Sequence, residues 1–243
     1  MAGGRRGTGN VNPDPAAKLA VVDCPVSGGE DGAIAGTLSI MLGGAPDDAA
    51  VAAEVLAPCG TPVLLGPLGA GEVAKACNQL VVSATIMALG EATVLADRSG
   101  LDLDALWSLL SGGYAGSRLL DSRREKLITG DDSPIGIARY MVKDLGFAAD
   151  IADATGTSPV LLPALRAAFD ELVAAGLGDR DIAVSRRFIA SRDTVATDLP
   201  YSDTLKPHLL HHRGAFCARS ISEHRSRRTR RHGIEPRPQP RQP

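Results

Sequence analysis

Gly66-Pro-Leu-Gly69-Ala-Gly71-Glu-Val-Ala-Lys75-Ala-Cys-Asn78-Gln79 is the stretch at which this chain changes character. Upstream, apolar residues come in short runs cut by Gly and Pro; downstream, they recur at helical spacing. From Glu72 to about Asp97 there is no Pro, Gly90 is the only breaker, and strong helix formers dominate. The spacing predicts one helix of roughly 26 residues, about 39 Å long at 1.5 Å per residue. Gly69-Ala-Gly71-Glu-Val-Ala74 also follows a strand-like run and opens that helix, so it imitates a dinucleotide fingerprint. A Rossmann unit would end its helix after some three turns and enter a second strand; here the helical pattern runs on, which argues against that use.

Working back from the junction, Leu19-Ala-Val-Val-Asp23 and Thr37-Leu-Ser-Ile-Met-Leu42 read as strands, the first broken at Pro25. Pro46-Asp-Asp opens a helix to about Ala57, with acidic residues in its first turn, and Pro62-Val-Leu-Leu65 returns as a strand. Residues 19–65 are therefore expected to form βαβ-type sheet. Working forward, helices are expected at about 102–111, 137–154, 163–175 and 180–190, with Gly- and Pro-containing breaks between them. Ile137, Met141, Leu145 and Ala148 form one apolar stripe.

Composition narrows the chemistry. At 243 residues, 44% hydrophobic and 22% charged, the chain is globular in type. No uncharged apolar run reaches the 18 or so residues of a membrane span, and the N-terminal residues do not form a signal peptide, so cytoplasmic location is the expectation. Four well-separated cysteines offer no metal-ligand spacing and are expected to be reduced; no metal site is expected. All five histidines lie beyond Ser191, where 11 Lys and Arg stand against 5 Asp and Glu; the first 190 residues hold 15 against 23. Proton transfer in that acidic body must use Lys, Asp, Glu or Tyr. The basic, Pro-rich tail at 191–243 is expected to be disordered, as are residues 1–16. The tail lacks the interleaved aromatics of a nucleic-acid surface, so nucleic acid is not an expected partner.

Three features bear on function. In Asp23-Cys-Pro-Val-Ser27-Gly28-Gly29 a strand empties into a loop whose glycines let backbone N–H groups approach an anion, and Ser27 adds a hydroxyl. Lys75 sits near the start of the long helix, with Asn78 and Gln79 three and four residues on; the positive helix end should lower its pKa, as proton transfer by a lysine requires. Lys143-Asp144 flanks the later apolar stripe. Singly these are an ordinary Gly-Gly turn, a surface lysine and a charged helix face.

Together they resemble a known family. Asp23-Cys-Pro-Val-Ser-Gly-Gly29, Gly36-Thr-Leu-Ser-Ile-Met-Leu-Gly-Gly44, the Gly66 to Gln79 stretch and Lys143-Asp-Leu145 are similar, in order and spacing, to β-hydroxyacid dehydrogenases of the 3-hydroxyisobutyrate dehydrogenase and 2-hydroxy-3-oxopropionate reductase type. Gly116-Ser-Arg-Leu-Leu-Asp121 and the Asn78-Gln79 pair lean towards the reductase branch. The resemblance covers about residues 19–190. It implies an α/β remnant of a Rossmann-type sheet over 17–68, followed at 69–190 by an all-α domain like the C-terminal domain of 6-phosphogluconate dehydrogenase. It also implies NAD or NADP as cofactor, a small carboxylate substrate (a 3-hydroxy acid or its semialdehyde) and a homo-oligomer formed through the helical part.

Carried over residue by residue, the resemblance makes Lys75 the general acid/base. Ser27, Gly28 and Gly29 would hold the substrate carboxylate, Asn78 and Gln79 would orient substrate and lysine, and Lys143 and Asp144 would contact the cofactor side of the site. The family opens with a strand and a GxGxMG-type pyrophosphate loop that these 243 residues do not contain. The expectation is therefore a chain truncated at its N-terminal side, with impaired cofactor binding, doubtful activity and an exposed sheet edge near Leu19–Asp23. The alternative is a non-catalytic remnant or oligomerising subunit of the family.

Overall fold

A computed structural model describes residues 20–192. The expectations for residues 1–16 and for most of the 191–243 tail fall outside that range. The described chain is a small mixed sheet leading into a helical body, as expected. Strands β1 (Val26–Ser27), β2 (Leu38–Gly43) and β3 (Gly60–Gly66) lie in that order, β1 antiparallel and β3 parallel to β2. Helix α1 (Gly29–Ile34) joins β1 to β2, and α2 (Pro46–Leu56) makes the crossover from β2 to β3. In β2 the alternation resolves into a buried face carrying Ile40 and Leu42, each worth roughly 1.5–3 kcal/mol of apolar burial.

The expected strand at Leu19–Asp23 is displaced. Asp23 makes only an isolated antiparallel bridge to Gly43, and the paired residues come after Pro25. Pro25 does not interrupt the pairing, because its carbonyl accepts from the Met41 N–H at 2.9 Å and an edge strand has no need of a proline N–H. At the other edge, Val63, Leu64 and Leu65 of β3 are each 42–50% exposed.

Helix α3 (Ala70–Arg98) runs 29 residues through the molecule, slightly longer than its pattern suggests. It packs against β2 at its start and against α5, α6 and α8 further on. By length and composition α3 could cross a membrane, but half of its most apolar window is buried inside this molecule, as befits a core helix. Gly90 serves a close crossing rather than a break: a Cβ there would lie 2.6 Å from Ser185 Oγ and 3.0 Å from the Ser185 carbonyl carbon.

The helical body continues with α4 (Leu103–Ser111), α5 (Arg118–Thr129), α6 (Tyr140–Thr155), α7 (Leu162–Ala174) and α8 (Ser185–Arg192). Asp102 caps α4 through the amides of Asp104 and Ala105. The stripe expected on α6 is real: Met141 and Leu145 are buried in a core with Ile86, Phe169, Leu172 and Phe188, and Ala148 packs on it. Ile137 precedes the helix and bridges to Asp181. The last expected helix, 180–190, is a 3-10 turn (Ile182–Val184) followed by α8. Asp181 stops a continuous helix there, because its fully buried carboxylate accepts from the amides of Gly136 and Ala183 and pairs with Arg123. Helix α5 was not expected at all.

Candidate active site

The start of α3 has no cap of its own. Gly69, in the left-handed region at φ 95°, offers no side chain. The cap comes from Asp23, whose Oδ1 accepts from Gly69 N at 2.6 Å and whose Oδ2 accepts from Glu72 N at 2.8 Å. The carboxylate fits because two glycines make room: a Cβ on Gly71 would collide with the Met41 carbonyl and stand 2.6 Å from Asp23 Oδ2, and one on Gly43 would collide with Asp23 Oδ1. Burial raises the Asp23 pKa, but the surrounding N–H donors outweigh it and hold the group below 3.8, ionised at neutral pH. The fingerprint-like glycines thus serve helix–sheet contact and an internal anion, which leaves that helix end no free donors for a pyrophosphate.

Lys75 lies one turn further along. Its Nζ donates to the Val26 carbonyl at 2.8 Å, the residue immediately before the Ser27-Gly28-Gly29 loop. It lines a cleft of about 380 Å³ with Glu72, Ala76, Gln79, Lys143, Asp144 and Phe147. Its pKa is below 10.5, as expected from sequence, but the cause differs: burial of the amine lowers it, while Asp144 and Glu72 raise it and Lys143 lowers it slightly. The helix end cannot be the cause, because Asp23 already neutralises it.

Gln79 is the hub of the cleft wall. Its Nε2 donates to Asp144 Oδ2 at 2.6 Å, and its Oε1 accepts from Asn78 Nδ2 at 2.9 Å. Asn78 does not line the cleft and reaches it only through Gln79. Lys143 stands at the mouth with its side chain 87% exposed, its Nζ 3.8 Å from Asp144 Oδ1.

Lys75, Gln79, Lys143 and Asp144 are therefore brought together, whereas Ser27, Gly28 and Gly29 do not line this cleft and adjoin it through the Val26–Lys75 contact. Gly28 and Gly29 have φ of 140° and 63°, backbone that L side chains rarely adopt, so the loop does require glycine. Glu72, Ala76 and Phe147 also line the cleft, and no sequence motif marks them. Helical spacing could have found Glu72, three residues before Lys75, and Phe147, three after Asp144. Among the described residues no group of three or more His, Cys, Asp or Glu side chains could hold a metal ion.

Two families match consecutive stretches of the chain. Residues 15–69 match the NAD binding domain of 6-phosphogluconate dehydrogenase, and residues 69–188 match the NAD-binding domain of NADP-dependent 3-hydroxyisobutyrate dehydrogenase. The chain belongs to the β-hydroxyacid dehydrogenase family. A family relative, the probable mitochondrial 3-hydroxyisobutyrate dehydrogenase of Dictyostelium discoideum, is 35% identical over 178 residues, 70% of this chain and 55% of that protein. Among solved structures, 3-hydroxyisobutyrate dehydrogenase from Salmonella typhimurium superposes with a TM-score of 0.64 at 28% identity, covering 70% of this chain and 60% of that one. The Mycobacterium tuberculosis 3-hydroxyisobutyrate dehydrogenase solved with L-serine gives 0.61 at 30% identity, covering 69% and 60%. The chain thus spans 55–60% of the length of these family members.

Proposed function

We propose that this site carries NAD(P)-dependent hydride transfer on a short 3-hydroxy acid or its semialdehyde, with Lys75 as general acid/base. One observation carries the proposal: a half-buried lysine of lowered pKa lines a cleft and donates to the Val26 carbonyl, one residue before a loop whose Gly28 and Gly29 have positive φ. A nicotinamide cofactor, when bound, would supply the hydride chemistry at the alcohol or carbonyl carbon. The neutral Lys75 amine takes the hydroxyl proton in oxidation, and its ammonium form returns that proton in reduction. Ser27, Gly28 and Gly29 receive the substrate carboxylate. Gln79 holds Asp144 beside the amine and is itself steadied by Asn78, so the electrostatics around Lys75 are fixed before substrate arrives.

Lys143 and Asp144 present a cation and an anion at the cleft mouth, a pair suited to the amide and hydroxyls of a nicotinamide riboside. Ala76 and Phe147 supply the apolar wall such a ring needs. A pyrophosphate is not held at the start of α3, where Asp23 has taken the donors. Fluorescence titration with NADH and NADPH measures how much cofactor binding the cleft supports without that helix end. Turnover of 3-hydroxyisobutyrate, L-serine and 3-hydroxypropionate, each compared with its methyl ester, tests the substrate class. Acids are expected to react and esters to lose most activity; equal rates for acid and ester would remove the assignment of the glycine loop.

A further inference from the structure

We infer that Asp23 is a positioning residue for proton transfer, fixing the distance between the glycine loop and the Lys75 amine. The inference rests on the proposed role of Lys75. The segment from Asp23 to Val26 is fastened to the first two turns of α3 at both ends: Asp23 accepts two amides at the start of the helix, and Val26 accepts the Lys75 ammonium or amine one turn on. A third attachment comes from the sheet, where Asp23 and Gly43 exchange backbone hydrogen bonds at 3.0 and 2.9 Å. Ser27-Gly28-Gly29 follows directly, so the Asp23 carboxylate sets where the loop begins relative to the lysine helix.

The fit is specific to aspartate. Gly71 and Gly43 leave no room for the extra methylene of glutamate, and asparagine keeps one acceptor oxygen where the helix presents two donors. The role is positional rather than electrostatic, because the charges acting on the Lys75 amine are those of Asp144, Glu72 and Lys143. Loosening residues 23–26 would open the amine to water and undo the burial that holds its pKa down.

Asp23→Asn and Asp23→Ala in the 243-residue chain test this. The readout is pH-dependent labelling of individual lysines with an amine-reactive reagent, followed by mass spectrometry. The apparent pKa of Lys75 is expected to rise from parent to Asn to Ala, with labelling slowing about tenfold for each unit of displacement at pH below the pKa. Lys126, buried in the helical body and held by Asp131 and Ser133, is the internal control and is expected to label unchanged. An unchanged Lys75 would overturn the inference, and so would parallel changes at Lys75 and Lys126, which would mark Asp23 as a general stability residue. With 3-hydroxyisobutyrate, Asp23→Asn should also move the pH profile of kcat/KM upward in step with the labelling. Absence of turnover in the parent would count against the dehydrogenase reading, while the labelling result would still decide the role of Asp23.

Discussion

The amide of Gln79 and the carboxylate of Asp144 meet at 2.6 Å across 65 residues of sequence, joining the third turn of α3 to α6. This bond sets one wall of the cleft, and Met141 Sδ, 3.7 Å from the same amide, lies beneath it. Asp144 is only 19% exposed, so it depends on that donor. Replacing Gln79 with Leu should cost about 1.5–3 kcal/mol of stability, the range for hydrogen bonds to a charged group. Gln79→Glu should cost more, since it would place two carboxylates in contact. Denaturant unfolding of the two variants gives the ranking.

Lys75 sets the pH dependence of oxidation. Its charged form is disfavoured by burial, so the neutral base becomes available below pH 10.5. The rate kcat/KM for alcohol oxidation should rise with pH and level off short of that value. Glu72 raises the Lys75 pKa, so Glu72→Gln should move the rising limb to lower pH. Steady-state profiles of parent and variant check the sign.

Two glycines in α3 should resist the usual gain from alanine. A mid-helix Gly→Ala change normally stabilises by about 1 kcal/mol. At Gly71 the added methyl would strike the Met41 carbonyl, and at Gly90 it would press on the Ser185 backbone at 3.0 Å. Overpacking of this kind costs typically ~1–3 kcal/mol, so both variants should melt lower than the parent. Gly146→Ala on α6, where a Cβ meets nothing within 4 Å, should melt no lower than the parent.

Asp181 should be among the least replaceable polar residues of the helical body. It is fully buried, pairs with Arg123 at 3.1 Å and accepts two amides that fix the entry to α6 and the turn before α8. Asp181→Ala should cost about 3–5 kcal/mol, since it strands a nearly buried guanidinium. Asp104→Ala, whose carboxylate is 73% exposed in its pair with Arg124, should cost under about 1 kcal/mol. Chemical denaturation separates the two.

The elements that could be read from sequence are those with a strong local signal. Pro46-Asp-Asp announces α2, the apolar run of β2 alternates towards Ile40 and Leu42, and α3 has no competing breaker. Helix α5 escaped because its buried face rests mainly on Leu120 and Leu127 amid charged residues, although Ser117 before it and Gly130 after it are ordinary caps. Near residue 23 the pattern points to a strand ending before Pro25, whereas pairing needs only the Pro25 carbonyl and runs on through Val26 and Ser27. In the cleft, Lys75, Gln79, Lys143 and Asp144 could be named from sequence. The cap by Asp23 could not, since its partners lie 46 and 49 residues away and no local pattern links them. For the same reason the direction of the Lys75 shift was foreseeable, while its origin in burial needed the packed structure.

The most direct measurement is oxidation of 3-hydroxyisobutyrate by this chain with saturating NAD or NADP, compared between the parent and Lys75→Met. The account predicts measurable turnover in the parent and a kcat lowered about 10²–10⁴-fold in the variant, with the unfolding midpoint little changed. Turnover that survives in Lys75→Met, or a parent that reduces neither cofactor, would contradict it.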